Sequence, residues 1–133
     1  MNYLIDTQIV IWFQLFDTRL SPSVYDLLTD SRNAIFVSQI SLFEIAIKQK
    51  IGKLPEFDKT IDEIIDFVEK DNFEILPVKN RHITFYNKIP LHPQHKDPFD
   101  RLIIAAALSE NLPIISADEK FRLYVPQIQL IEV

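Results

Sequence analysis

Along the chain, short apolar runs alternate with segments whose apolar residues recur every three or four positions. The runs Tyr3–Ile5, Ala34–Val37 (AIFV), Phe73–Val78 (FEILPV) and Pro113–Ser116 (PIIS) are too short for helices and read as strands. Ile128–Val133 (IQLIEV) alternates apolar and polar positions and reads as a fifth strand, at a sheet edge. Between the strands, Ser21-Pro22 supplies an N-cap and a first-turn proline for a helix over Val24–Ser31. Gln39–Ile51 forms a long helix, and Gly52 follows it where a left-handed residue is favoured. Thr60–Lys70 places Ile61, Ile64, Ile65 and Val68 at helical spacing, with Asp62, Glu63, Asp66 and Glu69 on its polar side. A shorter helix is expected over Arg81–Lys88, and Asp97-Pro98 opens another that runs through Glu110. Strands separated by helices need crossover connections. The expected architecture is a three-layer α/β/α fold around a central, mostly parallel five-stranded sheet.

Composition narrows the picture. With 133 residues, 47% of them hydrophobic, the chain has the size and apolar content of one domain, expected to span 1–133. It has no cysteine, which excludes a disulfide framework, a thiolate zinc site and a cysteine nucleophile, and fits a reducing cytosol. Its single glycine excludes the glycine-rich phosphate loops and the Gly-x-Ser-x-Gly elbow. No apolar run approaches the roughly 20 residues that span a bilayer, and MNYLIDTQ lacks the basic start and apolar stretch of a signal peptide. A cytoplasmic protein without membrane association is expected. Fourteen basic against nineteen acidic residues give 14 − 19 = −5, which weighs against a passive, basic nucleic-acid coat.

Four carboxylates occupy unusual positions. Asp6 ends the first strand and Asp118 follows the fourth, where ligands bind in open α/β sheets, although either residue could simply cap the next helix. Glu44 belongs to a narrow polar stripe with Ser41 and Lys48 on a largely apolar helix, so it faces a partner, a metal or a wet cleft, or else pairs with Lys48 at the surface. Asp100 shares a helix face with Ile103, Ile104 and Ala107, in the first turn, where the helix N-terminus favours negative charge. Asp97 is best explained as the N-cap before Pro98. Brought to one sheet edge, such carboxylates would repel one another and take up protons unless a cation neutralised them. An all-oxygen set suits Mg²⁺ or Mn²⁺, which can activate water against a phosphodiester. His82, His92 and His95 could form a metal site, but with His92-Pro93-Gln94-His95 in a proline-rich loop they read as surface histidines, and Trp12 and the phenylalanines read as core or interface.

At these same residues the chain resembles PIN-domain proteins, and within them the VapC-type ribonuclease toxins of type II toxin–antitoxin systems. The segments that carry the resemblance are LIDTQIVIW (Leu4–Trp12), SQISLFEIAIKQKIGKLP (Ser38–Pro55), HKDPFDRLIIAAAL (His95–Leu108) and LPIISADEKF (Leu112–Phe121), in that order along nearly the whole chain. The resemblance implies a parallel sheet with an acidic pocket for Mg²⁺ or Mn²⁺, and endoribonuclease activity. It maps Asp6, Glu44, Asp100 and Asp118 onto the catalytic, metal-holding quartet, with Thr7, Asp97 and Ser116 as supporting residues. It also implies a homodimer and a cognate VapB-type antitoxin whose C-terminal tail occupies the toxin's groove. Gln8 stands where His is expected after Asp-Thr, Phe43 where Trp is common before the glutamate, and the Leu91–Lys96 loop is slightly long. Lys48 and Arg101, with Lys50, Lys53 and Lys96, are candidate phosphate contacts on the RNA substrate. Two rivals remain: a PIN-like module that binds a partner without cutting, and a receiver-like signalling domain, which also gathers carboxylates at strand ends.

Overall fold

The alternation of runs and helical patterns becomes β1 (Asn2–Ile5), α1 (Thr7–Leu15), α2 (Pro22–Thr29), β2 (Ala34–Ser38), α3 (Gln39–Lys50), α4 (Ile61–Lys70), β3 (Glu74–Leu76), α5 (Asn80–Tyr86), α6 (Pro98–Glu110), β4 (Ile114–Ser116) and β5 (Leu130–Glu132). A short 3₁₀ helix, Glu119–Tyr124, precedes β5. This is a computed structural model, and it describes all residues from Met1 to Val133. Most boundaries follow from local chemistry. Thr60 and Glu63 cap α4 reciprocally, side chain to backbone in both directions. Gly52 adopts φ +75° just past Ile51, the residue that caps α3, as the sequence suggests. β3 stops before Pro77, which has no N–H to continue a ladder. Two helices end two residues earlier than the periodicity predicts. After α2 the Asp30 carboxylate accepts from both the Arg32 backbone and guanidinium, making a turn where the helix would have continued. After α5 the chain turns toward Pro90, with Lys88 N–H donating to the Phe85 carbonyl.

All strand pairs are parallel, in the order β3-β2-β1-β4-β5. The chain first builds outward from β1 through β2 to β3, then returns to β1's other side with β4 and β5. The direction of strand order therefore reverses between β1 and β4, where Leu4 and Ile5 register with Ile114 and Ile115. Alternate side chains feed two cores. Ile5, Ile35, Val37 and Ile115 pack with α1, α2 and α4, together with Leu42 and Ile45 of α3. Leu4 and Ile114 pack with α6, the 3₁₀ helix and Ile40. Leu4, Ile5, Ile114 and Ile115 are all fully buried, and each contributes roughly 1.5–3 kcal/mol through burial. The central strands are thus fixed on both faces, which gives their carboxyl ends a rigid edge on which to place polar groups.

Candidate active site

Loops beyond strand ends at the reversal of strand order form a crevice in open α/β sheets. Here two residues meet across that point. Asp6 leaves the end of β1 and caps α1, its Oδ1 accepting from Ile9 N–H at 3.0 Å. Its other oxygen, Oδ2, accepts a hydrogen bond from the hydroxyl of Ser116 at the end of β4. Ser116 Oγ in turn accepts from the Asp118 backbone N–H at 2.9 Å, and Asp118 Oδ1 caps the 3₁₀ helix through Lys120 N–H at 2.9 Å. Glu44, only 5% exposed, enters from the middle of α3. Thr7 Oγ1 donates to Glu44 Oε1 at 2.6 Å and lies 3.0 Å from Ser41 Oγ, while Lys48 Nζ stands 2.9 Å from Glu44 Oε2. At the head of α6, Asp97 Oδ1 accepts from Phe99 N–H at 2.9 Å, and Asp100 projects from the first turn.

Asp6, Glu44, Asp97, Asp100 and Asp118 line one cleft of about 530 Å³, with Thr7, Gln8, Lys48 and the apolar wall of Ile11, Trp12 and Leu54. Within it, Glu44, Asp97 and Asp100 each offer an oxygen within 4.8 Å of the others, and beside it a ring nitrogen of His95 lies equally close to oxygens of Asp100 and Asp118. The crowding has an electrostatic consequence. Burial, with the charges of Asp100 and Asp118, pushes Asp6 up from 3.8 to about 7 despite its two hydrogen bonds. Burial, with the charges of Asp97 and Glu44, pushes Asp100 up to about 6, although His95 opposes the shift. Lys48 is held above its ordinary value because Glu44 and the nearby aspartates outweigh the effect of its partial burial. Carboxylates that hold protons near neutrality lack sufficient positive charge. An all-oxygen group of this spacing fits a hard divalent cation, which supplies that charge.

A family model for the PIN domain matches residues 3–125. The chain belongs to the PIN-domain family. No curated protein matches it by sequence. Among solved structures, this PIN domain is similar to a chain of VapBC2 from Rickettsia felis, bound to a DNA fragment from the promoter, with 20% identity and a TM-score of 0.70 over 100% of this chain and 99% of the other. It is also similar to a chain of VapBC-5 from Mycobacterium tuberculosis (17% identity, TM-score 0.68) and of VapBC-1 from nontypeable Haemophilus influenzae (20%, 0.66), each over 99% of this chain and 98% of the other. At these identities the match is one of fold.

The PIN domain brings Asp6, Glu44, Asp100 and Asp118 to one cleft, with Thr7 and Ser116 bonded to two of them and Asp97 at the head of α6. Other placements differ from expectation. Arg101 is not available to a phosphate. It is 3% exposed and donates to the carbonyls of Pro90 and Ile89 behind the cleft. Its helix is buried on nearly every side, since Ile103 through Ala107 are at most 1% exposed. Lys48 borders the cleft, whereas Lys50, Lys53 and Lys96 are exposed outside its lining. The expectation of surface histidines fails for His82 and His95. His82 is buried with Nε2 3.0 Å from Glu110 Oε2, and His95 is buried with Nε2 3.0 Å from Asp100 Oδ2. A tight turn, with His95 N–H donating to the His92 carbonyl, folds the loop inward and delivers His95 to the site. No periodic pattern in a proline-rich loop announces such a residue. Trp12 packs one side against the core and also lines the cleft, beneath the Arg19 guanidinium 4.9 Å from the ring centre.

Proposed function

We propose that the chain is a divalent-metal-dependent endoribonuclease that acts as the toxin of a toxin–antitoxin pair, with a single-stranded stretch of structured RNA as substrate. The observation that carries this reading is the convergence of Asp6, Glu44, Asp100 and Asp118 from four separate chain segments on one cleft, where burial and mutual repulsion push Asp6 up to about 7 and Asp100 up to about 6. In this reading the four carboxylates hold one or two Mg²⁺ or Mn²⁺ ions. Such an ion, when bound, lowers the pKa of its water and stabilises charge on the phosphodiester. The chain's own groups do the rest. Ser116 and Ile9 fix the Asp6 carboxylate, and Thr7 fixes Glu44. Asp118 has one oxygen committed to Lys120 N–H and the other free to orient the attacking water or accept its proton. Lys48, half-exposed at the cleft, is placed to turn from Glu44 to a phosphate oxygen.

The similarity to VapBC structures supports a VapB-type antitoxin partner. An antitoxin tail in the groove and a homodimeric toxin acting in the cytoplasm belong to the same proposal. No helix is long and apolar enough to cross a membrane. The test is cleavage of RNA by purified protein with Mg²⁺ or Mn²⁺. Asp6→Asn is expected to fold and to lose metal-dependent cleavage, and cleavage at the wild-type rate would refute the assignment. Calorimetric titration with Mn²⁺ separates this reading from a PIN module that binds without cutting. Absence of binding, unchanged in variants of the four carboxylates, favours the inactive module.

A further inference from the structure

We infer that His95 is a positioning residue that pins one oxygen of Asp100, and that Tyr124 and Arg101 hold it in the tautomer this requires. The role of Asp100 rests on the metal-nuclease reading, whereas the hydrogen-bond chain stands on geometry alone. Arg101 is a buried guanidinium, and a guanidinium only donates. Its Nη1 donates to the Pro90 carbonyl at 2.9 Å and to Tyr124 Oη at 3.3 Å, its Nη2 to the Ile89 carbonyl at 3.4 Å, and its Nε to Tyr86 Oη at 3.3 Å. Because Tyr124 Oη accepts from Arg101, its single proton is free for another partner. That partner is His95 Nδ1, at 2.7 Å. Tyr124 Oη has no third hydrogen-bond partner to take its proton, so on this assignment Nδ1 accepts and the imidazole proton sits on Nε2, which faces Asp100 Oδ2 at 3.0 Å.

The chain of bonds thus runs in one direction: guanidinium to phenol, phenol to imidazole, imidazole to carboxylate. Tyr124 and His95 are 1% and 3% exposed, so water does not compete for these bonds. The imidazole is also held by its neighbours, tilted against Phe121 at 5.9 Å and nearly edge-on to Tyr124 at 5.5 Å between ring centres. Asp100 consequently has Oδ2 occupied from behind, leaving Oδ1 for an ion. Metal-binding carboxylates and histidines depend on such outer partners for their orientation. A histidine that only filled space would need neither the polarity nor the tautomer.

Three variants of the full chain test this: His95→Phe, which keeps the ring and loses the donor; His95→Gln, whose amide N–H reaches where Nε2–H stood; and Tyr124→Phe. Each is checked for folding by circular dichroism and titrated with Mn²⁺ by calorimetry, and the His95 ring is followed by ¹⁵N–¹H imidazole spectra in the wild type and Tyr124→Phe. The wild type should show His95 protonated at Nε2 alone, and Tyr124→Phe should lose that single tautomer. His95→Phe should bind Mn²⁺ about 10–100-fold more weakly, with His95→Gln recovering most of the loss. An Nδ1–H tautomer in the wild type overturns the inference, as does folded His95→Phe binding Mn²⁺ like wild type, or His95→Gln binding no better than His95→Phe. If His95→Phe does not fold, His95→Gln and Tyr124→Phe carry the test: wild-type tautomer and Mn²⁺ affinity in Tyr124→Phe overturn it. If the wild type binds no Mn²⁺, the metal reading fails, while the tautomer and its response to Tyr124→Phe still decide the relay.

Discussion

Asp6→Asn separates the electrostatic reading of the cleft from a purely architectural one. The substitution preserves size and the capping oxygen that accepts from Ile9 N–H, but removes the charge. Burial raises the folded-state pKa of Asp6 to about 7, against 3.8 for the exposed side chain. A carboxylate raised in the folded state destabilises that state once the unfolded chain can ionise. The penalty is absent below about pH 4, grows as pH rises, and is complete above about pH 7. At 1.36 kcal/mol per unit it amounts to about 2 kcal/mol at pH 5 and about 4 kcal/mol at pH 8. Asparagine carries no such term. Its disturbed bond with Ser116 costs about 1–2 kcal/mol at every pH. Urea denaturation in the presence of a chelator should therefore show Asp6→Asn gaining about 2 kcal/mol on wild type between pH 5 and pH 8. Parallel stability–pH curves for the two proteins would refute a proton-holding Asp6, and with it the argument that the cleft lacks positive charge.

Other substitutions test neighbouring parts of the account. Arg101→Met leaves two backbone carbonyls and the Tyr86 and Tyr124 hydroxyls without their donor, and should cost about 2–3 kcal/mol in urea melts; unchanged stability would return Arg101 to the phosphate-contact role first expected of it. Lys48→Met removes the ammonium from Glu44, so Mn²⁺ affinity measured by calorimetry should rise while RNA affinity falls; an unchanged Mn²⁺ affinity contradicts a competing Lys48. Gly52→Ala meets no atom within 4 Å of its new Cβ, so its whole cost is the left-handed backbone, about 1 kcal/mol by thermal melting.

The strands and the order of elements are legible in the sequence because short apolar runs bounded by Pro, Asn and Asp leave few other options. The carboxylates are legible for a less obvious reason. Capping and cleft-lining look like alternatives for Asp6, Asp97 and Asp118, yet each residue does both, since a carboxylate has two oxygens and a cap uses one. Strand ends that meet helix starts place such caps at the sheet edge where ligands bind. Arg101 is misread as a phosphate contact because its charge suggests a partner outside the protein. The adjoining Leu-Ile-Ile-Ala-Ala-Ala run carries the contrary signal, since a helix apolar all round is buried all round and takes its polar neighbours with it. His95 leaves no trace in any periodic pattern, because a turn rather than a repeating element carries it inward.

The net charge of −5 resolves along the same lines. Without the four proposed ligands the balance is 14 − 15 = −1, so the acidity is largely local to the cleft. The free protein offsets that local charge through the raised proton affinities of Asp6 and Asp100 and the Lys48 ammonium beside Glu44. A divalent ion bound by these oxygens must displace the protons, so binding and protonation compete. Below about pH 6 both aspartates are largely protonated, and between pH 6 and 7 Asp6 alone still holds most of its proton. Mn²⁺ affinity should therefore rise by about tenfold per pH unit for each proton released, and level off above pH 7. Calorimetry at pH 6 in buffers of different ionisation enthalpy should show heats that change with the buffer in proportion to the protons released. Affinity that stays flat from pH 5.5 to 8, with buffer-independent heats, would mean that the ion binds elsewhere or that these carboxylates are already ionised without it.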